Sequence, residues 1–229
     1  MERTLKAGDR RFLDLLPGVA RSPALARIAP DRERRKRLLE EARVLICGHR
    51  GYAFVDVEAP AIVLSEWYWR TGEPLDLYLD LLHELTHLRQ REEGFDLWDE
   101  RFSYVDRPTE VEAYAVAVEE GRRLGMTEED VLGHLTNPWM SQAEVRRLLR
   151  HVDAFLGGGP LPNLAKAKNG APFLVRHPWR CPRREESDAA RQAGPRGVWT
   201  GRHRQARTRP NPELVPKVGS GRERRGRFP

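Results

Sequence analysis

Leu81-Leu82-His83-Glu84-Leu85-Thr86-His87-Leu88 is the stretch on which the reading of the whole chain depends. Two histidines four residues apart stand on one face of a helix, one turn above the other. That spacing lets two imidazoles bind a single Zn²⁺, with the intervening Glu84 turned toward the metal's water. The inner residues Leu85 and Thr86 are uncharged, as a buried metal helix requires. Apolar residues recur at Tyr78, Leu81, Leu82, Leu85 and Leu88 with helical period, so residues 75–92 read as one helix. A surface helix carrying two solvated histidines is the plainer alternative, and the uncharged inner positions argue against it.

Working outward, Thr71-Gly72-Glu73-Pro74 is a turn leading into this helix and Gly94 ends it. Upstream, residues 52–57 and 61–67 are rich in β-branched and aromatic side chains and flank Ala59-Pro60, which predicts two antiparallel strands. Further back, residues 9–16 predict a short helix stopped by Pro17-Gly18. A second helix is expected from Asp31, as its cap, to about Ile46. The basic run Arg34-Arg35-Lys36-Arg37 lies on that helix opposite Leu38, Leu39, Ala42 and Leu45, the arrangement of a solvated face.

Downstream, residues 95–108 have no clean period and read as a loop wrapping the site. Pro108 suits the first position of a helix, and this one runs to about Leu124 and stops at Gly125. Its alanines permit close approach to a neighbouring helix. Thr127 with Asp130 is a capping-box variant opening a helix to about Leu135, and Ser141 with Glu144 is the standard form opening another through Phe155.

Two histidines leave a catalytic zinc short of one protein ligand. Glu112 and Glu110 are the leading candidates because both lie on the alanine-rich helix expected beside the metal helix. Glu112 is favoured because Ala115 and Val116 lie one turn on, while Glu110 suits the helix N-terminus through the dipole. Asp96, Asp99, Glu100 and His134 are weaker candidates. Tyr104, Tyr114 and His134 are possible donors to a developing oxyanion.

His83-Glu84-Leu85-Thr86-His87 followed by Glu110-Val111-Glu112-Ala113-Tyr114-Ala115-Val116-Ala117 resembles the gluzincin-type metallopeptidases, nearest to the ImmA/IrrE-like group, over roughly residues 40–125. Tyr114 and Val116-Ala117 stand where that group commonly has Asn and Phe-Ala. The resemblance implies a zincin-like domain that hydrolyses peptide bonds in a protein substrate. It also implies His83, His87 and Glu112 as zinc ligands and Glu84 as general base.

Composition divides the chain. Residues 158–229 carry 17 Lys+Arg against 5 Asp+Glu, and the preceding part carries 23 against 29. An acidic body is therefore followed by a strongly basic segment. That segment also holds 10 of the 17 prolines and no amphipathic period beyond Leu164, so it is expected to be extended or disordered. It could meet nucleic acid phosphates or an acidic protein surface, including in a virion. His177, Cys181 and His203 within it match no tight zinc spacing. Two cysteines make no disulfide framework. No stretch approaches a membrane span or resembles a signal peptide, so a soluble cytoplasmic protein is expected. The fold expected is α+β, with helices packed on a small, mostly antiparallel sheet at 1–157 and the basic tail at 158–229. The plainest alternative to an enzyme is a metal-stabilised interaction protein anchored through that tail.

Overall fold

A computed structural model describes residues 6–48 and 51–161. The expectations for the basic segment fall almost wholly on residues 162–229, outside the described residues. The described part is α+β, with eight α-helices and a four-stranded mixed sheet. Strand β1 (Gly8–Arg11) runs into the short helix α1 (Phe12–Leu15); α2 (Ala24–Ile28) and α3 (Arg32–Glu41) follow. Asp31 caps α3 as expected, its carboxylate accepting the Arg34 amide at 2.8 Å.

Helix α3 stops at Glu41, and β2 (Arg43–Cys47) takes the residues expected to continue it. The spacing of Leu38, Leu39, Ala42 and Leu45 fits a helix, but Val44-Leu45-Ile46-Cys47 is a short apolar run of the kind found in an interior strand. β2 has neighbours on both sides: β1 pairs with it antiparallel, and β4 (Ala61–Ser65) pairs with it parallel. β3 (Ala53–Asp56) closes the other edge as the antiparallel partner of β4. The hairpin of β3 and β4 is the one expected, but it ends earlier. Trp67-Tyr68-Trp69 belong to helix α4 (Glu66–Thr71), whose first turn is capped by Ser65 accepting the Tyr68 amide. A cap at the right position overrides the β-propensity of three aromatic residues.

Helix α5 (Pro74–Glu92) crosses the molecule, and every residue from Leu81 to Gln90 is buried. Its Leu77, Leu81, Leu82, Leu85 and Leu88 share one core with Val44, Ile46, Val55, Ile62 and Leu64 of the sheet. Each such leucine contributes about 1.5–3 kcal/mol when fully withdrawn from water. Beyond it lie α6 (Pro108–Arg123), α7 (Glu128–Leu135) and α8 (Gln142–Leu156). Val111, Tyr114, Ala115 and Val118 of α6 join Val131, Leu135, Val145, Leu148 and Val152 in a second core, while Val116 belongs to the first. Helix α6 thus lies between the two cores. It lies close to α5 at Gly121, where an added Cβ would stand 3.2 Å from Leu79 Cδ1. Both expected capping boxes form, at Thr127/Asp130 and Ser141/Glu144. Among the described residues no helix is long and apolar enough to cross a membrane.

Candidate metal centre

The middle of α5 presents His83 and His87 toward the first turn of α6, and there they meet Glu110. The two Nε2 atoms are 2.9 Å apart, and Glu110 Oε2 lies 3.4 Å from that of His83 and 3.6 Å from that of His87. Bonds of about 2.0–2.1 Å in a tetrahedron place ligand atoms about 3.3–3.4 Å apart. The three donors therefore already describe one face of a zinc tetrahedron to within a few tenths of an ångström. All three residues are buried, and Glu110 Oε2 has no hydrogen-bond partner. The two ring nitrogens can share one proton in a hydrogen bond, but a buried carboxylate oxygen without a partner is costly. A cation among the three atoms would satisfy that oxygen and bind both imidazoles, so the residues present fit a metal ion.

Charge in the cluster follows from this crowding. Burial and the neighbouring His87 push His83 below its usual range. Burial opposes a proton on His87, but the Glu110 carboxylate outweighs it and lifts His87 to about 9. Glu110 is likewise opposed by burial, and the attraction of His87 holds it well below the ordinary carboxylate range. Glu84 is buried with Oε2 unpartnered, and burial raises it to about 8.

Glu112, expected as the third ligand, is not in this group. It points along α5 instead of into the cluster, with Oε1 on Arg89 Nη2 at 2.7 Å and Oε2 accepting from Gln90 Nε2 at 2.8 Å. Two residues on a helix differ by about 200° in direction, so one carboxylate faces the histidines and the other cannot. Ala113, Ala117 and Gly121 are all buried and four apart, Gly121 lies against Leu79 of α5, and Glu110 continues their spacing three residues earlier. That spacing is a signal that points to Glu110, whereas the sequence reading weighs Ala115 and Val116 and favours Glu112.

The weaker candidates stand apart from the cluster. Asp96 accepts the Trp98 amide, and Asp99 holds the Arg101 guanidinium. His134 binds Asp76 through Nδ1 at 3.0 Å, with Nε2 3.8 Å from Asp80 Oδ1. Tyr114 does reach the centre, its ring packing on that of His83 with centroids 4.3 Å apart. Its hydroxyl lies 2.8 Å from that of Tyr104 and accepts from Asn137 Nδ2 at 3.2 Å. Tyr104 in turn touches Trp139, which also touches Tyr52, and Tyr52 packs edge-on against Tyr68. Tyr68 donates to Asp80, one turn before His83 on α5. These side chains form an aromatic rim that runs from Tyr114 beside His83 to Tyr68 on Asp80, with Trp139 61% exposed. Neither Gln90, which touches His87, nor this rim was evident from sequence spacing, because both depend on loops and helix packing.

No family model, curated protein or solved structure matches this chain.

Proposed function

We propose that the protein is a zinc-dependent metallopeptidase. The observation that carries this reading is the buried triangle of His83 Nε2, His87 Nε2 and Glu110 Oε2, with the buried carboxylate of Glu84 next to it in sequence. Structural zinc sites are closed by four protein ligands, whereas hydrolytic sites use three and leave a position open. Among the described residues the cluster has three. Zinc bound there would lower the pKa of a water to about 7 and polarise a peptide carbonyl.

The chain's own groups supply the rest. The Glu84 carboxylate accepts the proton of the attacking water and delivers it to the leaving amide nitrogen. Its burial favours proton uptake, since a buried carboxylate is more basic than an exposed one. The Tyr104 and Tyr114 hydroxyls share one hydrogen bond, so one can turn to donate toward a negatively charged oxygen on the His83 side.

The test is zinc content measured beside hydrolysis of quenched fluorescent casein and of a mixed peptide library. Wild type should hold one zinc and cleave, while Glu84→Gln should keep its zinc and lose cleavage by about 10²-fold or more. A wild-type protein that takes up no zinc, or a Glu84→Gln variant that cleaves normally, overturns the reading.

A further inference from the structure

We infer that Gln90 is a positioning residue that sets which nitrogen of His87 faces the metal, and that Glu112 sets the orientation of Gln90. This rests on the metal centre described above but concerns a different set of bonds. Gln90 is completely buried, three residues after His87 on α5, with its amide between the two helices. Its Oε1 lies 2.7 Å from His87 Nδ1. Its Nε2 donates to the Thr109 carbonyl at 3.0 Å and to Glu112 Oε2 at 2.8 Å. Thr109 and Glu112 both belong to α6.

These three bonds leave the amide one orientation. Both partners of Nε2 are acceptors with no proton to give, so the NH₂ group must face them. Turned over, the amide would set its oxygen against a carbonyl and a carboxylate and abandon both. With Oε1 toward His87, Nδ1 must carry the proton and donate it. The neutral imidazole then has its free lone pair on Nε2, the atom facing His83 and Glu110. A hydrogen bond from the other ring nitrogen also raises the basicity of the ligating one and stops the ring from rotating.

Glu112 is held for this task by charge. Its Oε1 is paired with Arg89, which also binds Glu93, and Glu93 binds Arg34 of α3. Two arginines and two glutamates alternate, so the run is neutral and adds no net charge behind the metal. It anchors the Gln90 amide through Glu112, while Glu110, two residues earlier, serves the metal directly.

The experiment compares zinc affinity, by competition with a chromogenic chelator, in the full chain and three variants. Gln90→Leu should bind zinc about 10–100-fold more weakly, the usual effect of losing an outer partner of a ligating histidine. Gln90→Glu keeps an acceptor for His87 but sets a carboxylate against Glu112 and the Thr109 carbonyl, so it too should be weak. Adding Glu112→Gln to Gln90→Glu returns an NH₂ donor to the pair and should recover most of the affinity, a coupling that general loss of packing does not produce. ¹⁵N-histidine spectra of the wild type should show the His87 proton on Nδ1, protected from exchange. Affinity within twofold of wild type in Gln90→Leu, no recovery in the double variant, or a His87 proton on Nε2 overturns the assignment. Absence of zinc from the wild type overturns the metal reading instead; His87 is then doubly protonated beside Glu110, and the exchange protection of its Nδ1 proton, lost in Gln90→Leu, still decides the role of Gln90.

Discussion

Glu110 and Glu112 are two residues apart and chemically identical, and their surroundings separate them. Glu110 has a buried oxygen with no donor, directed at two imidazoles, whereas Glu112 has both oxygens occupied by Arg89 and Gln90. Replacing Glu110 by Gln removes the carboxylate of the His83-His87-Glu110 group and should weaken zinc binding by more than about 100-fold, beyond what outer partners cost. Glu112→Gln keeps an oxygen for Gln90 to donate to and should cost about tenfold or less. Isothermal titration of the metal-free proteins with zinc measures both, and equal losses would refute the separate roles. From the sequence, the pairing of His83 with His87 is legible because a four-residue spacing on a helix has one geometric consequence. The third position was not, since Glu110 and Glu112 both fit the helix and only the rotation of α6 against α5 chooses. Ala113, Ala117 and Gly121 share the spacing that leads to Glu110, but Ala115 and Val116 are equally buried, so spacing alone does not choose between the two lines.

Helix ends were more legible than strands, because capping is local and strand pairing is not. Ser141 accepts the Glu144 amide while the Glu144 carboxylate accepts the Ser141 amide and hydroxyl, as the sequence motif predicts. Ser141→Ala should therefore destabilise the protein by about 1 kcal/mol, read as a lower urea midpoint at constant slope. The strand β2 was hidden because its position between β1 and β4 depends on residues far along the chain. Trp67-Tyr68-Trp69 misled in the opposite sense, since their strand-like composition serves packing on a short capped helix.

A second element-level contact is tested by pH. Glu120, buried near the end of α6, accepts from Ser22, from Tyr78 of α5 and from Arg123. Burial opposes its charge, but the Arg123, Ser22 and Tyr78 hydrogen bonds outweigh that and lower its pKa. A carboxylate depressed in the folded state stabilises above its unfolded pKa of about 4.3, and that stabilisation is lost as pH falls through the folded value. Wild type should exceed Glu120→Gln in stability at pH 7, and the gap should narrow as pH falls below about 4. A gap that stays constant from pH 7 to pH 3 would show that Glu120 contributes shape and not charge.

At the scale of the whole described structure, the candidate metal site lies where the two cores meet. His83 and His87 come from α5, which packs on the sheet, and Glu110 comes from α6, which also carries the second core. An ion held by all three therefore joins the two halves of the described structure. Ligand that binds only the folded state stabilises it by about 2.7 kcal/mol at a free concentration of about 100 times Kd. A chain of this size shifts its Tm by about 2–4 °C per kcal/mol, so zinc should raise Tm by about 5–11 °C and chelation should reverse the rise. Glu110→Gln should show no such rise, while Ser141→Ala should show the full rise from a lower starting point. The form of the transition carries further information. If the cores unfold together, calorimetry gives one peak that moves as a unit with zinc. Two peaks, of which zinc moves only the one containing α5, would mean that Glu110 leaves the cluster before the sheet core melts, and the ion would then not be joining the halves.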